Sequence, residues 1–262
     1  MDWTHIMYLP VVMAVFWPMA IFVTKKHPTR AQLLLCAAML MGAFAITMTT
    51  IIFRARTESL FIYQYLFELV AVLVGPVFYI AICSLTEPRG ASLRQRHSLI
   101  LPLLFIVGLS IGASVLGPRR YGLMCHMFRY GELFPLSGDA AWRFTALWSY
   151  HVFLVLVVAM NLVLLVLASR KSLVFQRRFN SYYAENIHAP HLHSGPLHLL
   201  AWLFLPLAVG MVVVMVLRIP FQKHIIIAVS LIFSLLQFLL GRYTYSLDYD
   251  ARYLATYVKK NL

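Results

Sequence analysis

Acidic residues are scarce in this chain of 262 residues. Nine Asp and Glu stand against 22 Lys and Arg, which gives a formal net charge of +13. Such an excess can indicate a nucleic-acid partner, but a nucleic-acid-binding domain gathers its basic residues on one folded face. Here they are spread over the segments between long apolar runs. We therefore interpret the charge as a membrane topology signal, with basic residues lying against anionic lipid headgroups.

Cysteine is also scarce, and the familiar enzyme motifs are missing. Cys36 and Cys83 lie within apolar runs and Cys125 lies in a polar segment, so no disulfide framework is expected. The sequence contains no His-Glu-x-x-His run and no Gly-x-Ser-x-Gly turn. Lys223 precedes the last apolar run, which argues against a retinal Schiff base in its middle. These features predict a chain that is not an enzyme and carries no cofactor or metal.

Apolar residues, by contrast, make up 61% of the chain and occur in long runs. A bilayer core requires about 20 of them per helix. Seven runs are candidates: Ile6 to Val23, Ala31 to Phe53, Leu60 to Ser84, Ser98 to Leu116, Phe144 to Ala168, Pro196 to Leu217 and His224 to Gly241. The pattern predicts an all-α membrane protein, with a seven-transmembrane-helix bundle over residues 1–245 and a short amphipathic cytoplasmic tail over 246–262.

The basic residues between the runs predict the orientation. If the N-terminus is outside, the inner segments hold fourteen Lys and Arg and the outer segments hold eight. Cytoplasmic loops carry the excess of basic residues in membrane proteins. We therefore expect a multi-pass protein of the bacterial inner membrane with an outside N-terminus and a cytoplasmic C-terminus.

Two longer segments between the runs could be taken for metal sites. The outer segment from Gly117 to Arg143 contains Met124, Cys125, His126 and Met127, which are soft ligands for copper or zinc. Four adjacent side chains cannot all point at one ion, so an interfacial segment anchored by aromatic rings is favoured. The inner segment from Ser169 to Gly195 contains His188, His191 and His193, whose spacing does not match a tetrahedral site. It is interpreted as a solvated loop.

Polar residues inside the runs mark a candidate ligand pocket. Such residues are costly in lipid and tend to face the bundle interior. Glu68 is the one carboxylate within the seven runs, and we expect a hydrogen-bond partner for it from the second or seventh run, with Gln237 as the best single candidate. The full candidate set is Glu68, Gln64, Tyr65, His151, Trp148, Asn161, Ser230, Ser234 and Gln237. The alternative is that these residues form hydrogen bonds between helices without binding a ligand.

Two stretches carry a family resemblance. The stretch from Gly75 to Thr86, followed by His97 and Pro102, and the segment from Tyr182-Tyr183 to Leu199-Leu203 resemble the membrane portion of the seven-helix AraC-type regulators of Bacteroidetes. The resemblance implies a sensory module that is followed in that family by a DNA-binding helix-turn-helix pair. Only 21 residues follow Gly241 here, and a recognition helix needs a supporting helix. We therefore expect no direct specific DNA binding by this chain.

These observations predict a non-enzymatic sensor or receptor-like module of signal transduction or transcriptional control. It would pass a small-molecule or peptide signal from the periplasm or the membrane to a cytoplasmic regulatory partner, with a homodimer as an allowed arrangement. The alternative is a small-solute transporter or permease subunit. A sensor should be closed towards the cytoplasm, whereas a transporter should offer a polar path through the midplane.

Overall fold

The computed structural model describes residues 3–54, 57–87, 153–185 and 223–247, together with positions 92, 95, 97–100, 102–104, 106–108 and 111. All of the regular structure in these ranges is helical, so the predicted all-α class is confirmed. The prediction also included the run from Pro196 to Leu217, the outer segment from Gly117 to Arg143, the three loop histidines and the tail after Leu247. These lie outside the described residues.

Five α-helices account for most of the described chain. They are α1 (Leu9–Thr24), α2 (Arg30–Arg54), α3 (Thr57–Thr86), α4 (Phe153–Glu185) and α5 (Lys223–Ser246). Short 3-10 helices cover Trp3–Tyr8 and His97–Leu99. Pro10 is tolerated near the start of α1 because the first helical N–H groups have no partner within the helix, whereas Pro18 removes one bond from its interior.

The first and last described helices are neighbours. Helix α1 packs against α2 and α5, α2 packs against α3 and α5, and α3 packs against α4. At the end of α1, the Lys25 ammonium lies 5.4 Å from the ring centroid of Tyr245 near the end of α5. Helices α1 and α5 therefore run parallel.

The direction of α4 follows from two contacts with α3. Asn161 of α4 approaches Gly75 of α3, and Lys171 of α4 forms an ion pair with Glu87 just after α3. The contact that lies later along α3 also lies later along α4, so the two helices are parallel.

The prediction that a loop begins at Ser169 was wrong. Helix α4 continues without interruption to Glu185. Neither Gly nor Pro occurs between Ser169 and Glu185, and the first helix breaker in the segment is Pro190. Arg170 and Lys171 end the apolar run, but the helix continues past them. Residues 169–185 add about 25 Å of helix at 1.5 Å per residue.

Within the described residues, one helix is long and apolar enough to cross a membrane, Ile227–Ser246. Shorter apolar helical stretches include Leu9–Thr24, Arg30–Ala45 and Val72–Thr86. Length and composition of the described helices therefore support one spanning helix. Cys36 and Cys83, which were expected within helices and without a disulfide, are free and buried.

Buried polar side chains and exposed large apolar side chains occur together in the described residues, alongside a buried apolar core that includes Leu35, Met39 and Ile82. Glutamine, serine and threonine side chains are buried: Gln32, Ser84, Ser169, Ser172, Ser230, Ser234, Gln237 and Thr244. Large apolar side chains are exposed on α1, α4 and α5: Val12, Phe16, Met19, Phe22, Val23, Val163, Val166, Leu231, Ile232, Leu235 and Phe238. These faces would be favourable in lipid and costly in water.

Candidate functional site

The predicted pocket residues fall on three helices. Gln64, Tyr65 and Glu68 belong to the first half of α3, Asn161 belongs to α4, and Ser230, Ser234 and Gln237 belong to α5. The side chains of the three α3 residues lie outside the described part of the structure, as do Trp148 and His151 altogether.

Asn161 lies in a notch formed by a glycine on α3. A Cβ atom built on Gly75 would be 1.9 Å from the Asn161 Oδ1 atom. The amide oxygen therefore faces the Cα hydrogens of Gly75, a weak contact that is common where helices approach closely. This buried oxygen has no hydrogen-bond partner among the described residues. The arrangement fixes the spacing of α3 and α4.

Gln237 occupies the corresponding position between α5 and α2. A Cβ atom on Gly42 would lie 2.9 Å from the Gln237 Nε2 atom. The Gln237 side chain is 2% exposed, and its Oε1 atom has no hydrogen-bond partner in the described part of the chain. A second buried amide therefore faces a glycine across a helix interface with an unused acceptor.

Ser230 and Ser234 are buried on α5, as expected for a stripe of small residues. The Ser234 hydroxyl donates to the carbonyl oxygen of Ser230 at 2.7 Å. This bond within one helix satisfies the hydroxyl hydrogen without a ligand or a second helix. The small residues therefore act here in close packing.

Helix rise places the two amides at one depth. Gln237 lies ten residues before Leu247, and Asn161 lies ten residues before Lys171. Asn161 is therefore about 15 Å of helix from Lys171, and Gln237 is the same distance from Leu247. Glu68, in contrast, lies nineteen residues before Glu87, or about 28 Å of helix.

The predicted pocket residues therefore lie at two different heights along the helices. Ser230, seventeen residues before Leu247, is closer in depth to Glu68 than Gln237 is. A hydrogen bond between Glu68 and Gln237 stays a prediction. The amides of Asn161 and Gln237 form the deeper level, each opposite a glycine.

The most extensive polar contact at this end involves Gln32, which the sequence analysis did not identify. This side chain is 1% exposed. Its Nε2 atom donates to the carbonyl oxygens of Thr244 at 3.1 Å and Leu247 at 2.7 Å. Its Oε1 atom accepts a 2.8 Å bond from the backbone N–H of Thr29. One amide thus joins the start of α2 to the end of α5.

A sequence signal for half of this contact was present. The Thr29 hydroxyl accepts a bond from the Gln32 N–H at 3.2 Å, which completes a reciprocal capping box. Thr29 and Gln32 have the S/T-x-x-E/Q spacing of that motif, directly after Pro28. The motif predicts where α2 begins. The bonds to α5 join residues more than 200 positions apart, so local spacing gives no signal for them.

A second polar cluster lies at the end of α3. The Glu87 carboxylate accepts hydrogen bonds from the Lys171 ammonium and, at 2.5 Å, from the Gln95 amide. Gln95 also accepts a 2.6 Å bond from the Ser92 N–H. The cluster joins the end of α3 to α4 and to the chain that follows α3. It escaped the sequence analysis because Glu87 lies outside the apolar runs.

No protein-family model, curated protein or solved structure matches this chain.

Proposed function

We propose that this chain is a non-enzymatic, multi-pass sensor module of the bacterial inner membrane, with seven transmembrane helices, an outside N-terminus and a cytoplasmic C-terminus. It passes a periplasmic or membrane signal, carried by a small molecule or peptide, to a cytoplasmic regulatory partner. The observation that carries the proposal is that several polar side chains are buried between helices while many large apolar side chains are exposed on the outer faces of the same helices. Buried Gln32 and Gln237 and exposed Phe16 and Leu235 suit helices surrounded by lipid.

The directions of the helices favour the proposed topology. The end of α1, the start of α2 and the end of α5 lie together, because Lys25 contacts Tyr245 and Gln32 binds Leu247. The same end carries Lys26 and Arg30, both exposed. A cluster of basic residues at one end of the bundle is expected on the cytoplasmic side.

Close packing towards the cytoplasm favours a sensor over a transporter. Residues 78–85 of α3 are all buried, so this half of the helix is surrounded by neighbours on every side. Glu87 with Lys171, and Gln32 with Leu247, then tie helices together at the same end. A sensor needs this end closed, whereas a transporter must open it during each cycle.

The extension of α4 supports a cytoplasmic partner. Residues 169–185 continue beyond the proposed membrane boundary at Arg170 and Lys171. Val174 and Arg177 are exposed on this extension. A rigid helix that projects about 25 Å from the membrane would carry a movement of α4 to a soluble protein.

The transporter alternative has one specific observation in its favour. The Asn161 and Gln237 amides each leave a buried oxygen without a partner at mid-membrane depth. Unused acceptors at the midplane are what a solute path requires.

Thiol accessibility in oriented vesicles distinguishes these functions. Ser234→Cys and Leu235→Cys are each introduced in a Cys125→Ser background and exposed to a membrane-impermeant maleimide from either side. Ser234 is buried and Leu235 is 58% exposed. For a sensor, Ser234→Cys reacts from the outside alone, whereas for a transporter it reacts from both sides.

Leu235→Cys is the matched control for the membrane itself. Its thiol is exposed on the protein surface but should be shielded by lipid, so it should react from neither side in vesicles and rapidly after unfolding in detergent. Rapid reaction in intact vesicles would contradict the proposal that α5 spans the membrane. Failure of Ser234→Cys to react from either side would remove the pocket and leave a packed helix interface.

A further inference from the structure

We propose that Gln32 is a latch that fixes the last turn of α5 to the first turn of α2, so that the end of α5 at Leu247 is released when this contact opens. The inference goes beyond the proposed function, since the latch would operate in a sensor or a transporter. It is carried by the three hydrogen bonds of the Gln32 amide and by its burial.

The Gln32 amide uses both kinds of hydrogen-bonding atom. Its Oε1 atom caps the start of α2 through Thr29, while its Nε2 atom binds two carbonyl oxygens of α5. The side chain is 1% exposed, so water cannot easily replace these partners. If α5 moved away, the Gln32 donors and the Leu247 carbonyl oxygen would lose these partners, and buried unsatisfied groups are costly.

The two helix ends are also electrostatically complementary. The start of a helix carries partial positive charge and its end carries partial negative charge, and here the start of α2 meets the end of α5. Lys25 adds a cation beside Tyr245 at the same end of α5. The contact between the start of α2 and the end of α5 is therefore electrostatically favourable.

Backbone and side-chain bonds define the last turn of α5. The Leu247 N–H donates to the carbonyl oxygen of Thr244 at 3.3 Å, and the Thr244 hydroxyl donates to Leu240 at 2.7 Å. Thr244 and Leu247 are both buried. The turn held by Gln32 is thus the last described element before the chain continues.

Halfway along the same pair of helices the interface differs. Gln237 faces Gly42, and its Oε1 atom has no hydrogen-bond partner among the described residues. A glycine opposite an amide with an unused acceptor allows the helices to shift at little cost in hydrogen bonds. Gln32 holds the end of α5 at the point from which such a shift would be transmitted.

Two substitutions separate the latch from the helix cap. Gln32→Glu keeps an oxygen acceptor for the Thr29 N–H, and Glu is a normal capping-box residue, but it removes the donor and places negative charge against the end of α5. Thr29→Ala removes the other half of the capping box and leaves the Gln32 donors in place. Gln32→Glu should therefore open the latch, whereas Thr29→Ala should leave it closed.

The readout is the maleimide labelling rate of Leu247→Cys in the full chain, reconstituted in lipid with Cys125→Ser. Leu247 is buried, so labelling of the parent should be slow. We expect Gln32→Glu to raise the rate at least tenfold and Thr29→Ala to change it less than threefold. Buried Cys36 and Cys83 report folding by staying unlabelled. Equal rates in the two variants, with both cysteines protected, would overturn the latch.

If Gln32→Glu does not fold, or if Cys36 becomes labelled in it, amide hydrogen exchange on the unsubstituted chain tests the latch instead. With the latch closed, the amides of residues 243–247 should exchange as slowly as those in the middle of α5. Rapid exchange, as at an ordinary frayed helix end, would show that Gln32 does not hold this turn and would reject the proposal.

Discussion

Gly241 of α5 lies directly against the indole of Trp17 in α1. A Cβ atom built on Gly241 would be 2.0 Å from Trp17 Cδ1 and 2.7 Å from Trp17 Cβ. Phe238 and Tyr245 flank the glycine on α5, and their ring centroids lie 5.6 and 6.0 Å from that of Trp17. The glycine forms a notch for the indole, and this notch sets the distance between the first and last described helices.

Gly241→Ala should therefore destabilise the protein. The added methyl group would overlap with the backbone-proximal part of Trp17, which cannot move without displacing α1, and overpacking typically costs about 1–3 kcal/mol. Thermal unfolding in detergent measures the effect. Gly108→Ala is the matched control, because nothing lies within 4 Å of a Cβ at Gly108. Equal melting temperatures for the two variants would contradict the close approach of α1 and α5.

Gly75→Ala should be destabilising in a way that depends on Asn161. The new methyl group would be 1.9 Å from Asn161 Oδ1, and Asn161→Ala removes that oxygen. We expect the double variant to regain most of the stability lost in Gly75→Ala, with a coupling energy of about 1 kcal/mol or more for residues in direct contact. Denaturation of the four proteins gives the coupling. If the stability lost in the double variant equals the sum of the losses in the two single variants, the two residues are not in contact.

The two buried glutamines should respond differently to methionine, which has a similar shape but lacks the amide. Gln32→Met would leave the Thr29 N–H and the carbonyl groups of Thr244 and Leu247 without this partner, at a cost of about 2–3 kcal/mol. Gln237→Met removes an oxygen that already lacks a partner, so it should be nearly neutral or stabilising. The free energies of unfolding of the two variants give the comparison. A larger loss of stability in Gln237→Met than in Gln32→Met would contradict the hydrogen bonding described for the two glutamines.

The proposed orientation predicts the behaviour of a fusion protein. A reporter enzyme that is active only in the periplasm should be silent when fused after Leu262, because the basic excess retains that end in the cytoplasm. A cytoplasmic fluorescent reporter at the same position is the positive control. High activity of the periplasmic reporter would reverse the orientation and remove the support for a sensor.

Hydrophobic patterning and helix signals determined much of the local structure. The apolar runs correctly predicted helices over α1, α2, α3 and α5, since long apolar runs favour helical structure in an apolar environment even where α1 contains Pro18 and α3 contains Pro76. The same patterning placed Cys36 and Cys83 in helices, where both are buried and free. It failed at the end of α4, because a change in hydropathy marks the limit of an apolar surface, whereas a helix continues until a residue interrupts it.

Contacts between distant helices were decided by the tertiary structure. The sequence identified Asn161 and Gln237 as polar residues within apolar runs, but only packing placed Gly75 and Gly42 opposite them. The Thr29 and Gln32 spacing determined a helix start, while the bonds from Gln32 to Thr244 and Leu247 required α5 to return beside α2. Local spacing reports interactions within a few residues, and the energies that pair one helix face with another depend on shapes and unsatisfied groups that appear only once the helices are packed.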